Sequence, residues 1–304
     1  MKDYKTTQEE VNRILSENGL DFHIEKVNLG YLNRLGFNES PYFGLLNCKT
    51  NEIINTVKEG YHVSQNKDLV ELTLKGIEKF GTDLKLTKAG SLNGGRKVFI
   101  QAEIEGYGNV GNDRIKRFVT ILDSNDGTTS LSVGIGDLTM SCSNQFYKFY
   151  KKGEAKFRHS ASLAEKMKTI PFLIETALNE SLRQIETYKT FQSTNVSRSL
   201  IHEIVKHTLG YDREITSIDI MSKKGTQAIN TMDKLYNEIE REILDKGQNL
   251  WGLHSGITKY TTHSLNLRGQ RENQLTESLL SGIGYKMNQN SLKFCEEKSG
   301  LLTC

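Results

Sequence analysis

The sequence lacks the features that define several common classes of protein. Its four cysteines, Cys48, Cys142, Cys295 and Cys304, lie far apart without a C-x-x-C pair, which argues against a disulfide scaffold and a thiolate zinc site. No uncharged apolar run approaches the roughly 18–20 residues of a membrane helix, and the N-terminus lacks the apolar core of a signal peptide. The net charge of only +3 excludes a highly charged disordered chain. We therefore expect a cytoplasmic protein that has a hydrophobic core and binds no membrane.

The first third of the chain contains two predicted helices. Thr7 and Glu10 have the spacing of a capping box, which predicts a helix over residues 8–18. Apolar residues at helical spacing predict a second helix over residues 67–80. Between these helices, residues 22–55 mix short apolar pieces with turn residues, and we expect an irregular stretch that carries short strands.

The middle of the chain has the alternation that is typical of β-strands. Every second residue from Val98 to Ile104 is apolar, so one face of this segment is apolar and the other mostly polar. A second strand is expected over residues 115–122, and the turn residues 123–127 lead into a third strand that begins near Leu131. This pattern predicts an antiparallel meander.

Helical patterns follow residue 142. We expect one helix through the basic stretch that ends near His159 and a longer one over residues 161–190, which Pro171 can kink or restart. Further helices are expected after residue 195, including one over residues 226–246. The predicted fold is α+β, an antiparallel β-meander packed on a long helix, with an additional helical C-terminal region. We expect a core domain over residues 1–195 and a helical region over residues 196–304.

Three local motifs resemble known sites but lack the geometry that those sites need. Residues 106–111 satisfy G-x-G-x-x-G, but a strand is expected after them instead of the helix whose N-terminus would face a phosphate. His202 and His207 are about 140° apart around a helix, so they cannot share a metal ion. In residues 123–127 the glycine comes one residue early for a calcium loop, which favours a tight turn. We assign no catalytic residue, no metal site and no cofactor.

A basic and aromatic stretch at residues 144–159 is the remaining feature with chemical meaning. From Asn144 to Lys168 the local net charge is +5, in a chain whose total is +3. Phosphates pair with Lys and Arg, and unstacked bases lie on aromatic rings, so this composition is typical of single-stranded nucleic-acid binding. The aromatic residues, three and four positions apart, equally fit the buried stripe of a helix whose lysines face water.

The candidate nucleic-acid site comprises ten residues. We expect the cations of the basic stretch to neutralise phosphates, two aromatic residues to stack with bases, and the cations of strand 115–122 to guide the nucleic acid, DNA in preference to RNA. The ten are Arg114, Lys116, Arg117, Tyr147, Lys148, Lys151, Lys152, Lys156, Phe157 and Arg158.

Several short segments in a fixed order carry a resemblance to a known family. They are residues 61–66 (YHVSQN), 90–99 (GSLNGGRKVF), 124–130 (SNDGTTS), 140–145 (MSCSNQ), 159–160 (HS) and 251–260 (WGLHSGITKY). The chain thereby resembles the phage/plasmid-like protein family catalogued as domain of unknown function 932, over most of residues 10–265. It departs from the family where Thr139 or Met140 stands in place of an arginine, and where Ser255-Gly256 replaces Asn-Ala. The first departure removes one cation expected near the basic stretch.

The resemblance implies a setting in phages or plasmids, in the cytoplasm of a bacterial host cell, and carries no agreed biochemical activity. A meander followed by a long helix is similar in outline to the single-strand annealing recombinases of phages. We therefore expect a single-stranded DNA-binding protein that promotes strand annealing in recombination or replication as a homo-oligomer. Two alternatives stay open. One is a protein–protein interaction factor that engages a host or phage protein through a helical hairpin at 226–246 and the basic stretch, and the other is a magnesium-dependent nucleic-acid enzyme that uses Asp113, Asp123 and Asp126.

Overall fold

The chain folds into two antiparallel β-sheets and a set of helices, which confirms the predicted α+β class. A computed structural model describes residues 7–80, 84–139, 148–210, 223–267 and 271–301. These described residues form two compact units. Unit 1 comprises those within 1–106, 117–136 and 151–181, and unit 2 those within 107–116, 137–150 and 182–304. The domain boundary expected after residue 195 stays a prediction.

Unit 1 begins with helix α1, Gln8–Glu17, and a three-stranded sheet. The Thr7 side chain accepts a hydrogen bond from the Glu10 N–H at 3.2 Å, which confirms the predicted cap of α1. Helix α2, Asn66–Phe80, follows the sheet and agrees with the prediction. The strands of the sheet are paired in the order β1-β2-β3 and comprise β1 Ile24–Asn33, β2 Gly36–Asn47 and β3 Glu52–Val57.

The expectation of an irregular stretch at residues 22–55 was wrong, because the turn-favouring residues Gly30 and Pro41 lie within long strands. Gly30 lies beneath the ring of Phe37, where an added Cβ would come within 2.0 Å of the ring. Pro41 lies in a bulge of β2, between the register pairs Asn28↔Phe43 and Gly30↔Glu39. Both residues therefore shape the β1–β2 hairpin without interrupting it.

The second sheet is the predicted meander, with five strands in the order β4-β5-β6-β7-β8. The turn between β6 and β7 is confirmed, and Asp126 Oδ1 accepts hydrogen bonds there from the Thr128 N–H and hydroxyl. The glycine motif at residues 106–111 lies at the junction of β5 and β6, and no helix begins there. The strands are β4 Leu84–Leu92, β5 Lys97–Val110, β6 Asp113–Ser124, β7 Leu131–Thr139 and β8 Lys148–Phe157.

Two helices follow β8: α3, Leu163–Met167, and α4, Ile170–Ser193. Pro171 is the second residue of α4, a position where its missing N–H costs nothing, so the predicted restart is confirmed. Helix α4 lies against the five-stranded sheet in each unit. In unit 2, a Cβ on Gly108 would come within 2.2 Å of the Ile185 side chain.

After residue 197 the described segments are helices joined by short connections. Gly247, with a φ of 99°, ends the predicted helix at 226–246. Within the described ranges, no helix is both long and apolar enough to span a membrane. The elements are α5 Arg198–Leu209, α6 Lys223–Lys246, α7 Leu250–Lys259, a π-helical turn Tyr260–Ser264, α8 Arg271–Leu280 and α9 Ile283–Lys298.

Helices α6 and α7 approach each other closely at two glycines. A Cβ on Gly256 would lie 2.3 Å from the Ile239 Cα, and one on Gly252 would lie 3.2 Å from the Ile243 Cα. The apolar stripe of α6 therefore packs inside unit 2, where Ile239 is fully buried. A residue larger than glycine at position 256 does not fit this helix spacing.

Candidate nucleic-acid interface

From Lys148 to Phe157 the basic stretch forms the edge strand β8, so the helix expected there was wrong; residues 144–147 lie outside the described residues. In the five-stranded sheet, β8 is paired on one side with β7 and is the last strand in the order. The aromatic residues of this stretch are three and four positions apart, which favoured a helix. Its charged residues, however, recur at every second position. Alternate residues from Lys152 to Arg158 are charged, which matches the pleat of a half-exposed strand.

The described end of β8 presents cations to solvent. Lys156 and Arg158 are exposed, whereas Ala155 and Phe157 between them are half-buried. Lys151 and Lys152 belong to the same part of β8 within unit 1, and Lys148 begins the strand in unit 2. Tyr147, and the side chains of Lys148, Lys151 and Lys152, lie outside what the structure describes.

The cations predicted on β6 have different surroundings. In unit 2, Arg114 is exposed and its guanidinium lies 4.0 Å from the centre of the Tyr107 ring, a cation–π contact. Lys116 is half-buried. In unit 1, Arg117 is half-buried and donates hydrogen bonds of 3.4 Å to Ser181 Oγ and to the Glu105 carbonyl oxygen. Burial lowers the pKa of Arg117, and its guanidinium is engaged within the protein.

A buried ion pair fixes the chain immediately after β8. The Nε2 atom of His159 lies 2.9 Å from Asp123 Oδ1, and the two side chains are only 6% and 3% exposed. The other ring nitrogen, Nδ1, lies 3.0 Å from the His62 carbonyl oxygen, which can only accept a hydrogen bond. A ring that satisfies both acceptors donates from both nitrogens, which is the protonated, imidazolium form of His159.

The surroundings of His159 support this protonation state. Burial alone would lower the pKa of His159, but the hydrogen bond and charge of Asp123, together with the His62 carbonyl, outweigh it and raise the pKa. The Tyr61 ring stacks on the imidazole with centroids 4.7 Å apart and planes 3° from parallel. Asp123 also accepts hydrogen bonds from the Ser64 hydroxyl and, at 2.9 Å, from the Ser124 N–H.

This cluster, which we call the His159 anchor (Tyr61, His62, Ser64, Asp123 and His159), joins three segments of unit 1. The His159 carbonyl accepts a hydrogen bond from the His62 N–H at 3.1 Å, so the two backbones are paired as well. The anchor holds Arg158 and the end of β8 against the rest of the unit. The exposure of Lys156 and Arg158 is therefore a fixed property of this edge.

The carboxylates of the magnesium alternative accept hydrogen bonds from protein groups. In unit 2, Asp113 accepts hydrogen bonds from Lys246 Nζ at 2.7 Å and from the Trp251 indole N–H at 2.8 Å. In unit 1, Asp123 belongs to the anchor and Asp126 shapes its turn. Over the described part of the chain, no three or more His, Cys, Asp or Glu residues are grouped so that they could hold a metal ion.

The family comparison matches the segments that build the anchor. A family described as "Domain of unknown function (DUF932)" matches residues 53–280. The chain belongs to the DUF932 family. No curated protein and no solved structure matches it. The DUF932 match begins in β3 and ends with α8, so it covers the five-stranded sheet but not α1, the β1–β2 hairpin or α9.

Sequence reasoning alone missed the His159 anchor. A signal was present, because three of the segments that resemble DUF932, residues 61–66, 124–130 and 159–160, meet at it or directly beside it. The family segment at 251–260 lies elsewhere, on α7 in unit 2, where Trp251 binds Asp113.

Proposed function

We propose that this DUF932 protein binds single-stranded nucleic acid, DNA in preference to RNA, along the edge strand β8 without cutting it. The observation that carries the proposal is the exposure of Lys156 on the edge strand β8, which also contains Lys151 and Lys152, and of Arg158 directly after it. An edge strand is open along one side, so an extended phosphate backbone can follow it. Successive lysines there supply the charge that phosphates need.

The His159 anchor supports this proposal through its effect on position. A flexible basic segment pays an entropic cost when it binds, whereas cations on a fixed strand are already in place. Phe157 is half-buried and alternates with Lys156 and Arg158, so its side chain belongs to the other face of the strand and the predicted base stacking by Phe157 is not part of this proposal. By holding two complementary strands close together, several copies would promote annealing, the role expected in recombination or replication.

A salt titration with a matched charge control tests the proposal. Binding of a labelled oligo-dT is measured by fluorescence anisotropy at several salt concentrations, with an oligo-U of equal length as the RNA comparison. For single strands, the slope of log K against log salt is about −0.7 for each neutralised phosphate. The Lys156→Glu/Arg158→Glu variant should bind far more weakly, with a slope shallower by about 1.4.

The control is a Lys67→Glu/Lys85→Glu variant, which changes the charge equally. Lys85 is exposed on β4, the opposite edge strand of the same sheet, and Lys67 is exposed on α2. This variant should retain most of the affinity. Affinity that does not depend on salt, or equal losses in both variants, would show that β8 is not the binding edge. Its lysines would then serve to prevent pairing with other strand edges.

A further inference from the structure

The turn end of the β5–β6 hairpin, residues 107–116, presents an aromatic ring and a guanidinium side by side on the surface of unit 2. Tyr107 is 40% exposed, and the guanidinium carbon of the exposed Arg114 lies 4.0 Å from the centre of its ring. This end of the hairpin also contains most of the glycine motif at residues 106–111, which has no part in the binding proposed for β8. The ring and the guanidinium therefore form a second exposed feature that the proposed function does not yet use.

The packing of this hairpin end decides which of its side chains reach solvent. Gly108 is buried against α4, where an added Cβ would come within 2.2 Å of the Ile185 side chain, and Ile115 is fully buried. Side chains alternate between the two faces of a strand. Tyr107, next to Gly108, and Arg114, next to Ile115, therefore belong to the opposite, exposed face.

The residue before Arg114 holds the start of β6 in place. Asp113 accepts hydrogen bonds from Lys246 Nζ at 2.7 Å and from the Trp251 indole N–H at 2.8 Å. Trp251 is buried, so this contact ties the hairpin to the core of unit 2. The backbone that carries Arg114 is thus positioned before any ligand binds, which lowers the entropic cost of binding.

The chemistry of this surface fits an unpaired nucleobase. Unpaired bases stack on aromatic rings and on the plane of a guanidinium, and both groups are adjacent here. Residues 107–116 contain two basic residues and one acidic residue, Asp113, which is paired with Lys246, so the local charge favours phosphates. The exposed amides of Asn109 and Asn112 can form hydrogen bonds with base edges. One exposed ring is, in contrast, far smaller than the roughly 800 Å² that a partner protein buries.

We propose that the Tyr107–Arg114 pair binds an unpaired base of a single-stranded nucleic acid by stacking. This inference rests on the proposed function and adds a base contact to the phosphate contacts of β8. Because every base has a π-face, the pair adds affinity without selecting a sequence. The bases inside a duplex are already stacked on one another, so the pair favours single strands over duplexes.

Anisotropy titrations of the full chain with labelled oligo-dT at several salt concentrations test the stacking. Tyr107→Ala should lower the affinity about tenfold, as expected for one stacked base, while the slope of log K against log salt stays unchanged because no phosphate contact is lost. Tyr107→Phe keeps the ring and should bind like the wild type. Arg114→Lys keeps the charge but lacks the planar guanidinium, so it should weaken binding severalfold at the same slope. The control is Tyr31→Ala, at a tyrosine that is 58% exposed in unit 1, and it should not change the affinity.

An abasic oligonucleotide of equal length separates stacking from structural damage. Wild type and Tyr107→Ala should bind it equally, because it has no base to stack. An equal loss on both oligonucleotides, or the same loss in Tyr107→Phe, would overturn the inference, since the side chain would then serve only the fold. Tyr107→Ala that binds oligo-dT as tightly as the wild type also overturns it and leaves binding along β8 intact. A wild type that does not bind oligo-dT overturns both this inference and the proposed function.

Discussion

The His159 anchor makes the stability of unit 1 depend on pH, and the effect can be isolated with one substitution. His159→Gln removes the cation but leaves Asp123 with the Ser64 hydroxyl and the Ser124 N–H as donors. Loss of one partner of a buried ion pair typically costs about 3–5 kcal/mol. Since two donors remain here, we expect a loss of about 2–3 kcal/mol in the free energy of unfolding near pH 6.

The sign of the pH effect follows from the raised pKa of His159. Because the folded pKa is above the unfolded value of 6.5, the anchor contributes fully below pH 6.5. Its contribution is lost as the pH rises through the folded pKa, by at most about 1.4 kcal/mol for each pH unit. The cost of His159→Gln should therefore shrink as the pH increases above 6.5.

Urea denaturation followed by far-ultraviolet circular dichroism, in buffers from about pH 6 to about pH 9, measures this difference. The matched control is His62→Gln, because His62 contributes only backbone atoms to the anchor and its side chain is exposed. This control should retain the pH dependence of the wild type. If the gap between wild type and His159→Gln is the same at all pH values, His159 is not an imidazolium and the anchor is misunderstood.

Two further predictions concern packing and burial. Gly256→Ala should lower the free energy of unfolding of unit 2 by about 1–3 kcal/mol, because the added Cβ would collide with the Ile239 Cα. Thermal denaturation followed by tryptophan fluorescence measures this loss, and the control Gly60→Ala, whose added Cβ has no atom within 4 Å, should have little effect. Burial raises the pKa of Cys295, so iodoacetamide should modify the exposed Cys48 in the native protein and Cys295 only after urea is added. Peptide mapping by mass spectrometry measures both reactions, and equal rates in the native protein would contradict the prediction.

Local patterns predicted the elements whose own residues determine them. The Thr7 cap, the alternation from Val98 to Ile104, the position of Pro171 and the stop at Gly247 all act within a few residues of the structure that they produce. Strand β8 was assigned wrongly because its aromatic spacing fits a helix and its charge alternation fits a strand. The choice between them depends on pairing with β7, which no local window contains.

Sequence patterns predicted the candidate site only where its residues are close together in the chain. The cations of β8 could be found from composition, and their exposure at Lys156 and Arg158 follows once the strand is known. The anchor could not be found in this way, because His159 is 36 residues from Asp123 and 97 from His62. The burial and hydrogen bonding of Arg117 could not be predicted either, because its partner Ser181 is 64 residues away on α4.

The distances along the sequence within the anchor also bear on the order of folding. Asp123 must meet Ser64 across 59 residues and His159 across 36, so neither contact forms until long loops have closed. Local hairpins and helices form earlier, and the end of β8 joins the sheet late. Once formed, however, the anchor closes two long loops at one point, so in amide hydrogen exchange the end of β8 should stay protected nearly as long as the sheet that it joins.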